Sequence, residues 1–498
     1  MLKNPLGAIF FIKEFCDWKF HTRSVSLPRT SFTYEPRLFE EFPDLRTGSN
    51  SQYEIADAGL GAFSVFFTQC ASFLEYQEEM KRLKGRSNAG NLFGVRNIPS
   101  DSHIRSLLDP VSPKCLNSMY RLVFERLETN RVLETFRSHA RSYLVAMDGT
   151  EYFSSQKIHC SSCSHRELSN GKTNYYHSVI TPVIVQADNE HVISLEPEFI
   201  VPQDGHEKQD CEIEASKRWL RAHGERYAYA KRNITILGDD LCSRQPFCEA
   251  VKSTKMHFIL VCKEDSHPQL YETVAFLEAQ GVLGRHQKRR WSGKYGEILT
   301  YRYANHLPLR GDKDSMMVNW VELTITHEET GEIVYKNAFV TDFEVLETTA
   351  EAIARDGRAR WKIENENNNI LKTKGYHLEH NFGHGAQFLS SLLLSLNLLS
   401  FLFHTVMGLV DQKYQLLRNA LRKRRKFFQH VEALLEYLRL IGNLRDRSPS
   451  SCTAGGRQCN CRQNWGCITA IPREPYLLFD SWDALFSFMC RGLELDTS

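Results

Sequence analysis

The sequence predicts an α/β protein with a mixed sheet at its centre, an all-α region ahead of it and a β-rich insertion within it. Three observations carry this. Between residues 54 and 138 apolar residues recur at three- and four-residue spacings, the period of helices. From Tyr143 to Cys262 short apolar runs alternate with amphipathic stretches, as strands and helices do in a layered core. From Arg285 to Val340 strand-like runs follow one another with turn residues between them. A chain of 498 residues has room for two to four domains, and 42% hydrophobic with 24% charged residues is ordinary for a soluble globular protein. The net charge of +2 does not announce a polyanionic partner, so local patches decide.

Residues 1–35 read as a loosely structured lead-in. Lys3, Lys13 and Lys19 flank Ala8-Ile-Phe-Phe-Ile12, which is short for a secretory signal and lacks a small-residue cleavage site. Fourteen cysteines scattered over this length fit free thiols in a reducing compartment, and a cytoplasmic location is expected. Residues 36–139 form the helical region. Ile55, Ala58, Phe63, Phe66 and Phe67, then Leu107, Leu108, Leu116, Met119, Leu122 and Val123, set its period, and Ser100 or Asp101 caps a helix. It is either a packing unit or a domain that binds DNA ends, and the second reading is adopted.

The core begins in residues 140–284. A strand runs from Tyr143 to Met147 and ends at Asp148. After a polar loop come the runs Ser178–Val185 and Val192–Leu195, a helix over Cys211–His223, and the strand Ile234–Gly238, which ends at Asp239. A helix from about Arg244 to Lys252 and the strand His257–Cys262 close the series. Three strands, helix, strand, helix, strand is the order of a ribonuclease H-like core, in which the first and fourth strands are neighbours; Asp148 would then meet Asp239. Residues 285–346 are the β-rich insertion, with strands over Ile298–Tyr303, Met316–Ile325, Ile333–Tyr335 and Asn337–Val340 and a turn at Thr330-Gly331. Residues 347–412 complete the core and carry a helix containing Glu364. Phe388–Val410 is long and apolar enough to span a bilayer, but serines, Asn397 and His404 interrupt it and its flanks are polar. It reads as a buried helix, and no membrane partner is expected. Residues 413–498 are helical, with a flexible loop over Ser448–Trp465 and a short final helix opened by Phe479–Leu485.

Asp148, Asp239 and Glu364 are the candidate catalytic residues. Two aspartates at strand ends and a glutamate on a later helix can surround a pair of divalent ions, the arrangement that serves phosphodiester chemistry. Asp240 is the alternative to Asp239. Arg360, Glu364, Asn368 and Lys372 are four apart and would share one helix face, with Arg360 and Lys372 on DNA phosphates. The plain alternative is a solvated helix with an Arg–Glu pair. Arg289, Arg290 and Trp291, in Arg285–Trp291 with Lys294 behind, join cations to an aromatic ring, which suits phosphate contact and stacking on an unpaired base; a solvated basic turn is the alternative. Arg422–Lys426, on a helix with Phe427 and Phe428, reads as a solvated helix face, with DNA contact as the alternative. His159, Cys160, Cys163 and His165 have the spacing of zinc ligands. No second Cys-x-x-Cys lies at a convincing distance, so the cluster reads as loop packing, with structural zinc as the alternative. Cys452, Cys459, Cys461 and Cys467 read as free thiols. Lys208, Asp210 and Glu212 form a polar patch with no assigned role.

The stretches Ala146-Met-Asp-Gly-Thr150, Ile236-Leu-Gly-Asp-Asp-Leu241 and Arg360-Trp-Lys-Ile-Glu-Asn365, in that order, resemble the DDE transposases of bacterial insertion sequences, in the subgroup with a β-insertion before the glutamate. The resemblance spans about residues 40 to 490. It implies Asp148, Asp239 and Glu364 as ligands of two Mg²⁺ or Mn²⁺ ions, nicking of element ends, and joining of a 3′ hydroxyl to target DNA. Double-stranded DNA and a second copy of the chain on that DNA are the partners it implies. A DNA-binding relative without catalysis, and a nuclease on the same core, are the competing readings. Of the family's Tyr–Arg–Glu–Lys signature, Arg360 and Glu364 match. Gly357 stands at the tyrosine position, and Leu371, with Lys372 beside it, at the lysine position.

Overall fold

The computed structural model describes residues 38–47, 53–81, 88–90, 92–202, 210–228, 233–437 and 482–495. The lead-in, Lys208 and the Ser448–Trp465 loop with its cysteines lie outside them. The chain divides into two compact units: Met1–Val111 with Val410–Ser498, and Ser112–Leu409.

The first unit is helical, with α1 (Ile55–Thr68), α2 (Phe73–Lys81), α3 (Asp101–Leu108), α11 (Gln412–Ala420), α12 (Arg424–Tyr437) and α13 (Trp482–Gly492). All of α1 is buried, so it is the unit's core rather than an amphipathic cover. Ser100 caps α3, accepting from the His103 N–H at 3.4 Å. Trp482 of α13 packs edge-on against Phe67 and Phe93, with ring centroids 5.1 and 5.7 Å away. Asn88 donates to the Leu435 carbonyl at 2.6 Å. The helical region expected over residues 36–139 is therefore split. Its last part, α4 (Asn117–Thr129), belongs to the second unit, where Phe124 meets Tyr143 and Tyr227.

The second unit is mixed α/β. Its strands are β1 (Tyr143–Ala146), β2 (Gly149–Ser155), β3 (Ser164–Glu167), β4 (Thr173–Ile180), β5 (Val183–Val185), β6 (Ile193–Ser194), β7 (Glu198–Ile200), β8 (Ile234–Gly238), β9 (His257–Val261), β10 (Gly284–Trp291), β11 (Gly296–Pro308), β12 (Met317–His327) and β13 (Ile333–Thr341). Nine of them form one sheet in the order β10-β11-β12-β13-β9-β8-β1-β5-β6. β1, β8 and β9 are parallel, and the other pairs are antiparallel. The three parallel strands are continuous apolar runs because both faces are covered. The helices are α5 (Glu212–Tyr227), α6 (Gln245–Ser253), α7 (Pro268–Ala279), α8 (Ala350–Arg358), α9 (Asn369–Thr373) and α10 (Leu389–Val410), beside α4.

Four sequence expectations change. The polar loop after Asp148 is a second sheet, β2-β4-β3 with β7 on β4. The run Ser178–Val185 is broken at Thr181-Pro182, where the chain leaves that sheet for the main one; proline has no N–H to continue a ladder. The β-rich insertion is no separate layer, because β13 pairs with β9, Phe339 opposite Val261, and so extends the core sheet. The runs Ile333–Tyr335 and Asn337–Val340 are the single strand β13. Helix α10 is long and apolar enough to cross a membrane, yet 83% of its most apolar window is buried in the fold. Its polar groups are used internally: Asn397 donates to the Tyr376 carbonyl at 2.7 Å, and His404 Nδ1 pairs with the Tyr376 hydroxyl at 2.7 Å.

Candidate active site

Parallel pairing of β1 with β8 sets Ala146 beside Leu237, and the Met147 N–H continues the ladder onto the Leu237 carbonyl at 3.0 Å. The next residue on β1's side is Asp148, and β8 runs through Gly238 to Asp239. Both aspartates thus leave the same end of two adjacent strands. Burial pushes the Asp148 carboxyl up to about 7; the charge of Arg360 opposes the rise, and Glu212, Glu364 and Asp239 add to it. Asp239 turns one oxygen back on its own loop, accepting from the Leu241 and Cys242 N–H groups at 3.0 and 3.3 Å. Asp240 faces elsewhere. It accepts from the Lys263 N–H at 2.6 Å and from the Ser266 hydroxyl, and so anchors the loop after β9.

Glu364 does not sit in a regular helix. Residues Ile363–Asn368 form a π turn between α8 and α9, a distortion common at functional sites. Arg360 and Glu364 are paired at 2.6 Å, as their spacing predicts. The π turn then breaks the four-residue register. Asn368 turns inward, accepting from the Thr181 hydroxyl at 3.3 Å, while Asn367 donates to that hydroxyl at 3.1 Å. Lys372 is paired with Glu379 at 2.9 Å. The expected single face of Arg360, Glu364, Asn368 and Lys372 is therefore lost after Glu364. Thr181 also donates its N–H to the Asp148 carbonyl at 3.3 Å. One residue thus ties the backbone of Asp148 to the turn that carries Glu364.

Sequence reasoning placed Glu212 in a polar patch and gave it no role. It stands in the first turn of α5, where acidic residues are ordinary partners of the helix dipole. Its carboxylate occupies the space where a side chain at Gly149 would be. Glu212 is exposed as a whole, but partial desolvation of its carboxyl raises its pKa, and the charge of Asp239 adds to the rise. A signal was present: a glycine directly after Asp148, at the start of a strand, marks close approach of another group.

The unmatched signature positions have a packing cause. A Cβ on Gly357 would lie 2.7 Å from Phe339 Cδ1 and 2.9 Å from Ile259 Cγ2, so no tyrosine fits there without repacking. Leu371 is fully buried. The basic segment forms the edge strand β10. Arg289 pairs with Glu328 at 2.7 Å and Arg290 with Glu297 at 2.6 Å, so much of its charge is spent within the sheet. Trp291 is 68% exposed; Lys294, three residues on, and Arg285, at the other end of β10, are exposed as well.

The Cys-x-x-Cys lies in the loop between β2 and β3. Cys160 and Cys163 face His177 of β4 and His384, which precedes α10, rather than His159 and His165. His159 stacks on Tyr175, with ring centroids 4.4 Å apart. No protein-family model matches this sequence, and no curated protein matches it significantly.

Proposed function

We propose that this chain is a DDE-type transposase that cleaves double-stranded DNA at element ends and joins the freed 3′ hydroxyl to target DNA, acting as a homodimer on DNA in the cytoplasm. The observation that carries this reading is that half-buried Asp148, at the end of β1 beside Asp239 at the end of β8, feels the charges of Asp239, Glu364 and Glu212, with the Arg360 guanidinium, itself paired with Glu364, opposing them. The strand order β6-β5-β1-β8-β9, antiparallel and then parallel, supports a ribonuclease H-like core.

Four carboxylates against one cation form a hard, oxygen-rich set that fits Mg²⁺ or Mn²⁺. Asp148, Asp239 and Glu364 would hold two such ions, with Glu212 beside them. Bound there, the ions supply activation of the attacking hydroxyl and stabilisation of the leaving oxygen. The chain's own residues do the positioning. Arg360 holds Glu364 through one N–H and has others for a phosphate oxygen. Thr181 keeps Asp148 and the π turn in register. Trp291 offers a ring to an unpaired base, with the exposed Lys294 three residues on.

The test is incubation of the full chain with labelled element ends, target DNA and Mg²⁺. Joined products are expected, and Asp148→Asn should give none. Cleavage without joining would overturn strand transfer and leave a nuclease. DNA binding without cleavage, in Mg²⁺ and in Mn²⁺, would overturn the enzyme.

A further inference from the structure

We infer that Cys160, Cys163, His177 and His384 hold one structural zinc ion, independently of the DNA chemistry proposed above. A tetrahedral Zn²⁺ with bonds of about 2.3 Å to sulfur and about 2.0–2.1 Å to nitrogen needs edges of about 3.8 Å between sulfurs and about 3.5 Å between sulfur and nitrogen. The sulfurs of Cys160 and Cys163 are 3.9 Å apart. His177 Nε2 lies 3.6 Å from Cys160 Sγ and 3.5 Å from Cys163 Sγ, and His384 Nε2 lies 3.6 Å from Cys163 Sγ. All four donor atoms fall within 4.8 Å of one another. Four of the six donor–donor edges thus match those of an S₂N₂ tetrahedron, the geometry and softness that select zinc.

A disulfide does not explain the pair, because bonded sulfurs sit about 2.05 Å apart. Loop packing alone does not explain it either: four polar donors from three separate segments converge through Sγ and Nε2. Aromatic rings close the surroundings. Tyr152 stacks flat on His177, centroids 5.7 Å apart at 14°, and Phe153 lies 4.4 Å from His384. Three ligands are buried, and half-buried Cys160 borders a cleft of about 520 Å³. The ion would join the second sheet to the segment between α9 and α10. The site is closed by four protein ligands, so it is structural and offers no position for substrate.

The test uses the purified full chain, dialysed against zinc and then freed of excess. Elemental analysis should find about one zinc per chain, as one four-ligand site requires. Cys163→Ser and His384→Ala should each cut that content at least tenfold. His384→Cys should keep it, since three thiolates and one imidazole also form a zinc site. Cys248→Ser, a buried cysteine outside the cluster, should leave it unchanged. Thiol titration of folded protein adds a second readout, in which zinc should shield Cys160 and a chelator should expose it. Cobalt loading should give the absorption of a tetrahedral thiolate complex. A folded chain that takes up neither metal overturns the proposal. So does full zinc content in the Cys163→Ser/His384→Ala double variant.

Discussion

Asp148, Asp239 and Asp240 follow the same ends of the adjacent strands β1 and β8, yet the fold uses each differently. Asp240 is bound to Lys263 and Ser266, while half-buried Asp148 feels the charges of three other carboxylates. In the proposed reaction, Asp148→Asn, Asp239→Asn and Glu364→Gln each abolish cleavage at unchanged thermal stability or better, because each removes a metal-ligand charge at nearly constant shape. Asp240→Asn should instead lower the melting temperature and spare catalysis. Cleavage assays paired with thermal melts separate the two classes. An active Asp239→Asn enzyme would transfer the role to Asp240. The pH dependence has a definite sign. Asp148 ionises at about 7 in the folded chain against about 3.9 unfolded, so folding takes up a proton between those values. Its favourable contribution is complete below pH of about 4 and is lost as pH rises through about 7. The metal-free melting temperature should therefore fall over that window. Asp148→Asn should flatten the fall, and Mg²⁺ at pH 8 should reverse it. A variant profile identical to that of the parent chain would remove Asp148 from the cluster.

At the scale of elements, Gly357 on α8 is the sharpest test of packing. Gly357→Tyr restores the signature residue but forces a ring into Phe339 and Ile259, and should cost about 1–3 kcal/mol or more, read from denaturant unfolding. A neutral result would mean that α8 can shift away from β13 and β9. On β10, Trp291→Ala should weaken single-strand binding more than the Arg289→Ala/Arg290→Ala pair does, because those arginines are already matched by Glu328 and Glu297. Fluorescence titrations across a range of salt would show it, and equal losses would mean that the ion pairs open on DNA. These elements also mark how far the sequence could be read. β1, β8 and β9 were legible because buried parallel strands are unbroken apolar runs, and with them came the neighbouring ends that carry Asp148 and Asp239. β2, β3 and β4 were not, since strands such as Ser164-His-Arg-Glu167 are largely exposed and polar. The π turn left no trace in residue spacing, so Asn368 and Lys372 were placed on the wrong face. The cysteines of the metal cluster were visible as a pair. His177 and His384 were not, because they lie 14 and 221 residues from Cys163 and only the tertiary fold selects them over His159 and His165.

At the scale of the whole molecule, the first unit is assembled from segments far apart in the chain, with the second unit encoded between them. Its core depends on both. Trp482→Ala should cost about 3–5 kcal/mol, the range for removing a buried aromatic side chain, and the loss should appear as earlier melting of this unit alone. Differential proteolysis of residues 55–108 against residues 143–341 would read it, and simultaneous loss of both regions would mean that the units melt as one. The same arrangement has a consequence for biosynthesis. Phe67 and Phe93 leave the ribosome long before Trp482, their packing partner, is made. At the usual 5–20 residues per second that gap lasts on the order of tens of seconds. The sheet-containing unit can close during this interval while α1 waits without its cover. Nascent chains should therefore pass through a stage in which the middle of the sequence resists protease and its beginning binds chaperones.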